Sequence, residues 1–372
     1  MLRWRSPWNE SIRLTQHPRL TALATSVPPH ALSQADVQRL AARLFAATLD
    51  ANSRLLEVFD NAEITKRHTC VPLEWLEEPH PFGERNDLYI SNAVSLGKEV
   101  AKAALDRAGL TARDVDHLVF VSSTGLSTPS IDALIANELG FRFDSKRTPI
   151  WGLGCAGGAV GLSRARDFAL ADPSARVLLV ALELCSLTFQ PEDVTKRNLV
   201  AASLFADGAA AAVIVGRDVA IEPGRRTLEI TASQSILWKD TLDVMGWTID
   251  GDGLHVVFSR DIPSIVREKL RPSLAAFLDR QGLAMDDVDH LVTHPGGVKV
   301  LRAYAEALGL APERFQHARD VLREYGNMSS PSCLFVLERF LSTQEIGAGE
   351  RALVSALGPG FSAEYVLMRG AA

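Results

Sequence analysis

Cysteine is scarce in this chain and badly spaced for pairing: four residues in 372, at positions 70, 155, 185 and 333. No Cys-x-x-Cys pair occurs, which removes a thioredoxin-type redox motif, a zinc ribbon and a secreted disulfide framework together. Positive charge is not in excess either. Lys and Arg number 39 against 45 Asp and Glu, a formal net charge of −6, so no basic field exists to hold nucleic acid through its phosphates. Long apolar runs are missing, the longest falling far short of the roughly 18–20 residues that a membrane span needs. The first thirteen residues carry Arg3 and Arg5 but no secretory-type apolar stretch. No two histidines stand at a metal spacing with a matching cysteine or carboxylate. These absences predict a soluble cytoplasmic protein with no metal, no nucleic-acid partner and no integral membrane segment. What is present, 47% hydrophobic and 23% charged residues, suffices for the core of two to three domain-sized units.

An internal duplication sets the architecture. Residues 105–119 read LDRAGLTARDVDHLV and residues 278–292 read LDRQGLAMDDVDHLV, identical at eleven of fifteen positions at an offset of 173. A second match, RVLLVAL from Arg176 and RALVSAL from Arg351, follows at an offset of 175. Each copy reads as alternating helices and strands. In the first, a helical stretch Ser91–Ala108 stops at Gly109, and the strand 117–122 is apolar without alternation, hence covered on both faces. A strand ending near Trp151, a helix from about Cys155 to Ala171 and a strand 176–182 complete the unit. The second copy repeats this with a helix Ser264–Gln281, a strand 290–293, a helix Asn327–Thr343 and a strand 351–357. The expected fold is α/β, a pseudo-symmetric αβαβα sandwich with the copies back to back. Residues 1–20 form an unmatched N-terminal arm, 21–220 the first half and 221–372 the second. The crossover falls at 216–227, where Pro223 and Gly224 break any regular element.

The offset also says where chemistry belongs. Cys155 of one copy corresponds to Asn327 of the other; both follow a glycine and both are expected to open a helix facing a shared centre. His294, in HisProGlyGly (294–297), follows the second copy's repeat strand directly. A thiol at a helix N-terminus has its pKa lowered toward neutrality by the peptide dipoles, and a nearby imidazole would complete an activated nucleophile. A buried cysteine acting as a small hydrophobe is the plainer reading; flanking glycines and the symmetry favour the nucleophile at Cys155 alone among the four. Asn327 reads equally as an N-cap. A competing motif, Gly152-x-Gly154-x-x-Gly157, fits a dinucleotide fingerprint, with Glu183 at the end of the next strand as the ribose-binding acid. Against it stand its mid-chain position and a duplicate (326–330) without the glycine pattern. GlyProGly at 358–360 reads as a backbone turn. A papain-like Cys, His, Asn order lacks that family's signature around the cysteine.

GlyCysAlaGlyGly (154–158), PheAlaAspGlyAlaAlaAla (205–211), HisProGlyGly (294–297), GluTyrGlyAsnMetSerSer (324–330) and LeuGlyProGlyPheSerAlaGlu (357–364) closely resemble chalcone and stilbene synthases, the type III polyketide synthases, over roughly residues 20–370. The resemblance implies a thiolase-like fold, a duplicated αβαβα five-layered sandwich, and a homodimer. It implies Cys155 as nucleophile with His294 and Asn327 as catalytic partners, malonyl-CoA and acyl-CoA as substrates, and no cofactor. Phe205 matches the family's gatekeeper. Ser123, Thr124, Cys185, Leu187, Thr188 and Ser329 align with cavity positions, and Thr128 with a residue that crosses into the partner's cavity.

Departures from the plant pattern shape the expected substrate. Val256 stands where plant enzymes have a second gatekeeper phenylalanine, and Cys185 where they have threonine. Among the cations for the CoA phosphates only Arg54 remains, with Glu57 and Asn61 at the other two positions; an acyl carrier protein thereby becomes a possible starter donor. HisProGlyGlyValLysValLeu and GluLeuCysSerLeuThrPhe are similar to bacterial alkylpyrone and alkylresorcinol synthases. The resulting expectation is a medium- or long-chain fatty acyl starter extended with malonyl units. A malonyl-primed enzyme giving a naphthalene, and the ketoacyl synthase of fatty-acid initiation, are the alternatives.

Overall fold

The computed structural model describes residues 17–46, 53–343 and 346–371. Its thirteen strands are β1 (Arg19–Ser26), β2 (His30–Ser33), β3 (Lys66–Thr69), β4 (His117–Val121), β5 (Lys146–Ile150), β6 (Arg176–Leu184), β7 (Asp207–Val215), β8 (Leu228–Leu237), β9 (Met245–Asp250), β10 (Gly253–Phe258), β11 (His290–Thr293), β12 (Arg351–Gly358) and β13 (Ser362–Gly370). Nine of them join in the order β11-β12-β13-β8-β1-β7-β6-β4-β5. The duplication is visible in that order: β1, β7, β6 and β4 of the first copy mirror β8, β13, β12 and β11 of the second, and β5 has no counterpart. In each copy the repeat strand runs parallel to the next one, β4 with β6 and β11 with β12.

The repeat extends to single hydrogen bonds. Gly109 and Gly282 both sit at φ 70°, where a Cβ would be strained. Past them, Leu110 N–H donates to Leu105 O (2.9 Å) and Leu283 N–H to Leu278 O (3.0 Å), the bond of a Schellman helix end. Asp116 and Asp289 accept the N–H of Arg176 and Arg351, each at 2.8 Å. The repeated LDR-G and DVDHLV residues therefore hold the helix stop and the strand register, which is a structural role.

The helices Gly157–Ala171 and Ser332–Thr343 form the middle layer, touching strands of both halves. The helix Phe82–Ala108 covers the outer face of the first half; Ile262–Asp279 and Val298–Leu308 pack together outside the second. This is the five-layered αβαβα sandwich of a thiolase-like fold. Strand β4 is buried at every position, as its unbroken apolar run predicts.

Several boundaries differ from expectation. The first-copy helix starts at Phe82, nine residues before the predicted Ser91. The helix predicted from Asn327 starts at Ser332, because Pro331 disfavours a helical conformation at the residue before it and Ser329 lies at φ 58°. Of the predicted arm, residues 1–16 lie outside the described residues, while Arg19 and Leu20 already belong to β1. Chain inserted after β1 (β2, β3 and the helix Gln34–Leu44) and after β8 (the β9–β10 hairpin) has no internal match. These insertions wall the site. Among the described residues no helix is long and apolar enough to cross a membrane.

Candidate active site

Strand β5 ends in a turn whose glycines, Gly152 (φ 86°) and Gly154 (φ 45°), adopt conformations that side chains disfavour. Ser123 Oγ accepts the N–H of both, at 3.1 and 3.2 Å, and presents Cys155 on a single 3-10 turn before the helix Gly157–Ala171. The remaining glycines are there for space. A Cβ at Gly157 would lie 2.5 Å from Val121 Cγ1, and one at Gly158 would lie 2.3 Å from Ser330 O and 2.6 Å from Cys333 Sγ. A Cβ at Gly358 of the GlyProGly loop would lie 2.6 Å from both Ala156 Cβ and Leu153 O. Of the GxGxxG glycines, Gly154 and Gly157 face residues of the second copy, Pro359 and Ser330, each 3.0 Å from an added Cβ, and these cover the helix start where a pyrophosphate would sit. The dinucleotide reading is corrected on that ground.

His294 follows β11, its N–H bonded to Ser355 O at 2.8 Å. Its ring is buried and neither nitrogen has a hydrogen-bond partner. Burial alone holds it far below the ordinary imidazole value, at about 3, so the ring is neutral. Asn327 is neither a helix opener nor an N-cap. It pairs with the segment around Phe205: Asn327 N–H donates to Leu204 O (2.8 Å) and Ala206 N–H to Asn327 O (3.0 Å). Its Oδ1 accepts Ser329 N–H at 2.8 Å, which turns the amide nitrogen outward. Cys155, His294 and Asn327 line one cavity of about 170 Å³, with Met245 and Phe258 of the hairpin, Tyr304, Leu357 and Phe361, and with exposed Arg260 at its edge.

The thiol departs from expectation. Burial raises Cys155 to about 11, opposed by hydrogen bonds from Ser329 and Asn327 and reinforced by the charge of Glu183. Desolvation outweighs the helix terminus here, so the cavity is lined by a neutral thiol and a neutral imidazole.

Glu183 was legible only as a ribose-binding acid, and its place in the structure is different. It is fully buried beneath Cys155 and accepts from Ser123 N–H (2.8 Å), Thr124 Oγ1 (2.9 Å) and, from the second copy, Ser330 Oγ (2.8 Å). Burial raises it to about 7 against those bonds. A group whose pKa rises on folding stabilises fully below its unfolded value, 4.5, and loses that contribution as the pH climbs through about 7. Glu183→Gln keeps the neutral form at all pH values. Wild type should therefore lose roughly 3 kcal/mol relative to the variant between pH 4 and 8 in urea denaturation; parallel pH profiles would contradict this.

The other predicted residues divide. Phe205, Cys185, Thr188 and Val256 line a second, smaller apolar cavity of about 60 Å³, with Leu32, Val37, Leu40, Leu76 and Phe189. The helix Lys196–Leu204 separates it from the first cavity, to which it contributes Val200 and Leu204. Phe205 packs on Phe258 (5.5 Å between ring centres) and Trp247 (6.2 Å). Ser123, Thr124, Leu187 and Ser329 line neither cavity: the first two brace the Cys155 turn and Glu183, Leu187 packs in the first-half core, and Ser329 bonds the thiol. Thr128 and Arg54 are exposed, Arg54 on the 3-10 turn Ser53–Leu56. Met245, Phe258 and Tyr304 had no sequence signal, and Phe361 appeared only inside the 357–364 motif; Met245 and Phe258 lie in an insertion outside the repeat.

A duplicated sandwich with a cysteine from one half and a histidine and an asparagine from the other defines a thiolase-type condensing enzyme. The chain belongs to the chalcone and stilbene synthases, matching their N-terminal domain over residues 9–219 and their C-terminal domain over residues 229–372. It is a type III polyketide synthase, an acyltransferase that condenses malonyl-CoA. It is 40% identical to a 1,3,6,8-tetrahydroxynaphthalene synthase of Streptomyces peucetius subsp. caesius, covering 94% of this chain and 92% of that one. With the alpha-pyrone synthesis polyketide synthase-like Pks18 of Mycobacterium tuberculosis H37Rv it shares 32% identity over 94% and 90%. The crystal structure of a tetrahydroxynaphthalene synthase from Streptomyces coelicolor A3(2) superposes with a TM-score of 0.89 at 32% identity, covering 95% of this chain and 99% of that one.

Proposed function

We propose that the chain loads a medium- or long-chain fatty acyl thioester on Cys155, extends it with malonyl units and releases an alkylpyrone or alkylresorcinol. The observation that supports this reading is the apolar cavity behind Phe205, whose wall carries the small Val256 where a phenylalanine would fill it. In loading, Cys155 Sγ attacks the starter carbonyl and its proton passes through the neutral His294 to the departing thiolate. Malonyl-CoA then loses CO₂, and the electrons of the broken C–C bond enter an enolate. One N–H of the His294 imidazole and the Asn327 amide donate to the enolate oxygen as an oxyanion hole. A neutral imidazole keeps one N–H to donate, and burial favours that form at His294. The enolate carbon attacks the acyl thioester, the C–S bond breaks, and the chain returns to Cys155 for the next round. No further cofactor enters these steps.

Working as a homodimer, the enzyme takes its starter from CoA, whose phosphates meet exposed Arg54, or from an acyl carrier protein. Incubation with labelled malonyl-CoA and acyl groups from acetyl to stearoyl, on either carrier, tests the proposal by mass spectrometry. Pyrones or resorcinols from C₈ and longer starters support it. A naphthalene from malonyl-CoA alone, the reading favoured by the Streptomyces peucetius relative's name, replaces it. Val256→Phe should shorten the preferred starter by several carbons, because the new ring fills the apolar cavity; an unchanged preference removes the tunnel argument.

A further inference from the structure

Arg67 on β3 is a buried cation, 2% exposed, with no carboxylate partner among the described residues. Burying a charge without a counter-ion is costly, and burial holds this guanidinium down to about 9. Carbonyls compensate. Its Nη atoms donate to Ala202 O (2.6 Å), Phe205 O and Ser203 O (both 2.8 Å), and to Gln34 Oε1. These carbonyls close the C-terminal end of the helix Lys196–Leu204, where aligned peptide dipoles gather negative charge. The segment so gripped contains Phe205 and is the one that pairs with Asn327. The stem of Arg67 lies next to the other wall: a Cβ at Gly326, the residue before Asn327, would lie 3.6 Å from Arg67 Cβ and 3.1 Å from Leu204 O. Two residues before Arg67, Thr65 N–H and Oγ1 both donate to Arg323 O, at 2.8 and 2.9 Å, in the helix Gln316–Tyr325 that ends at Gly326.

We propose that Arg67 is a positioning residue that sets the Phe205 ring and the Asn327 amide against each other, so that one side chain governs both which acyl chain passes and how firmly the enolate is held. The part concerning acyl chains rests on the function proposed above. Lysine retains the charge but cannot span several carbonyls with a planar fork. The test uses full-length wild type, Arg67→Lys and Arg67→Gln, assayed well below their melting temperatures. The expected result is a ten- to hundred-fold fall in kcat for Arg67→Gln with KM for malonyl-CoA within about two-fold. The starter-length preference broadens, and Arg67→Lys falls between. A separate readout needs no polyketide product: alkylation of Cys155 by short- and long-chain haloacetamides, followed by peptide mass spectrometry. The long-to-short rate ratio should shift at least three-fold in either variant. A lower melting temperature with unchanged kcat and an unchanged alkylation ratio overturns the proposal. If Arg67→Gln does not fold, Arg67→Lys alone decides by the same ratio. Wild type that extends no acyl-CoA sinks the proposed function, and the ratio still judges Arg67.

Discussion

Cys155→Ala is expected to abolish chain extension while leaving malonyl-CoA decarboxylation largely intact. In the proposed mechanism the thiol carries the acyl group between rounds, and neither Cys185 nor Cys333 is placed to substitute. Cys185 lines the separate cavity behind Phe205, and Cys333 is wholly buried under the helix it belongs to. Burial also raises Cys333 to about 12 and Cys185 well above its ordinary range. Extension should fall by more than about 10³-fold, the scale on which loss of a nucleophile is felt. Decarboxylation asks only for donors at the enolate oxygen, which His294 and Asn327 supply. Asn327→Ala should therefore reduce both activities, by about 10²-fold or more. Release of ¹⁴CO₂ from malonyl-CoA, followed beside product formation, separates the two. Extension surviving in Cys155→Ala would remove the covalent mechanism, and a matching loss of decarboxylation would show that the thiol also shapes the donor site.

Gly158→Ala is expected to be the most damaging change that adds a single carbon. The new Cβ would stand 2.3 Å from Ser330 O, a backbone atom of the partner half that cannot rotate away. Overpacking of this kind costs about 3 kcal/mol, and for a chain of this size that lowers the melting temperature by roughly 4 °C. Gly83, whose Cβ would meet nothing within 4 Å, provides the control: Gly83→Ala should leave the melting temperature unchanged or slightly raise it. Equal melting behaviour of the two variants would mean that the middle-layer helices can separate, and the rigid apposition of the halves would have to be abandoned.

The duplication made the fold legible. Eleven repeated identities at a fixed offset give the pseudo-symmetry, and residues such as Gly109 and Asp116 keep the same hydrogen bonds in both copies. Cys155 and Asn327 were legible as positions because each follows a glycine at corresponding offsets, and His294 because it follows the second copy's repeat strand. Their protonation was not: the helix terminus argues for a low thiol pKa, and only the packed structure shows that desolvation wins at Cys155. The cavity walls were hidden for a different reason. Met245, Phe258, Val37 and Leu40 lie in the insertions, where no internal match guides the eye and an apolar residue at a wall looks like one in a core. Glu183 shows the converse error, since a carboxylate at a strand end fits a sugar-binding pattern until Ser330 arrives from the far half to cover it.

The corresponding strand ends, Glu183 in β6 and Gly358 in β12, have consequences for how the protein could have diverged. The matching frameworks point to two like halves at the outset, each presenting the other with the same surface at the centre. One strand end now carries a buried acid and the other a bare backbone wedge, and each has been tailored to the turn it faces. In the proposed mechanism the halves are complementary specialists: one makes and breaks the bond to sulfur, the other receives the charge on oxygen. Neither retains the other's trade, so exchanging the two halves' inner turns would restore symmetry and erase the enzyme.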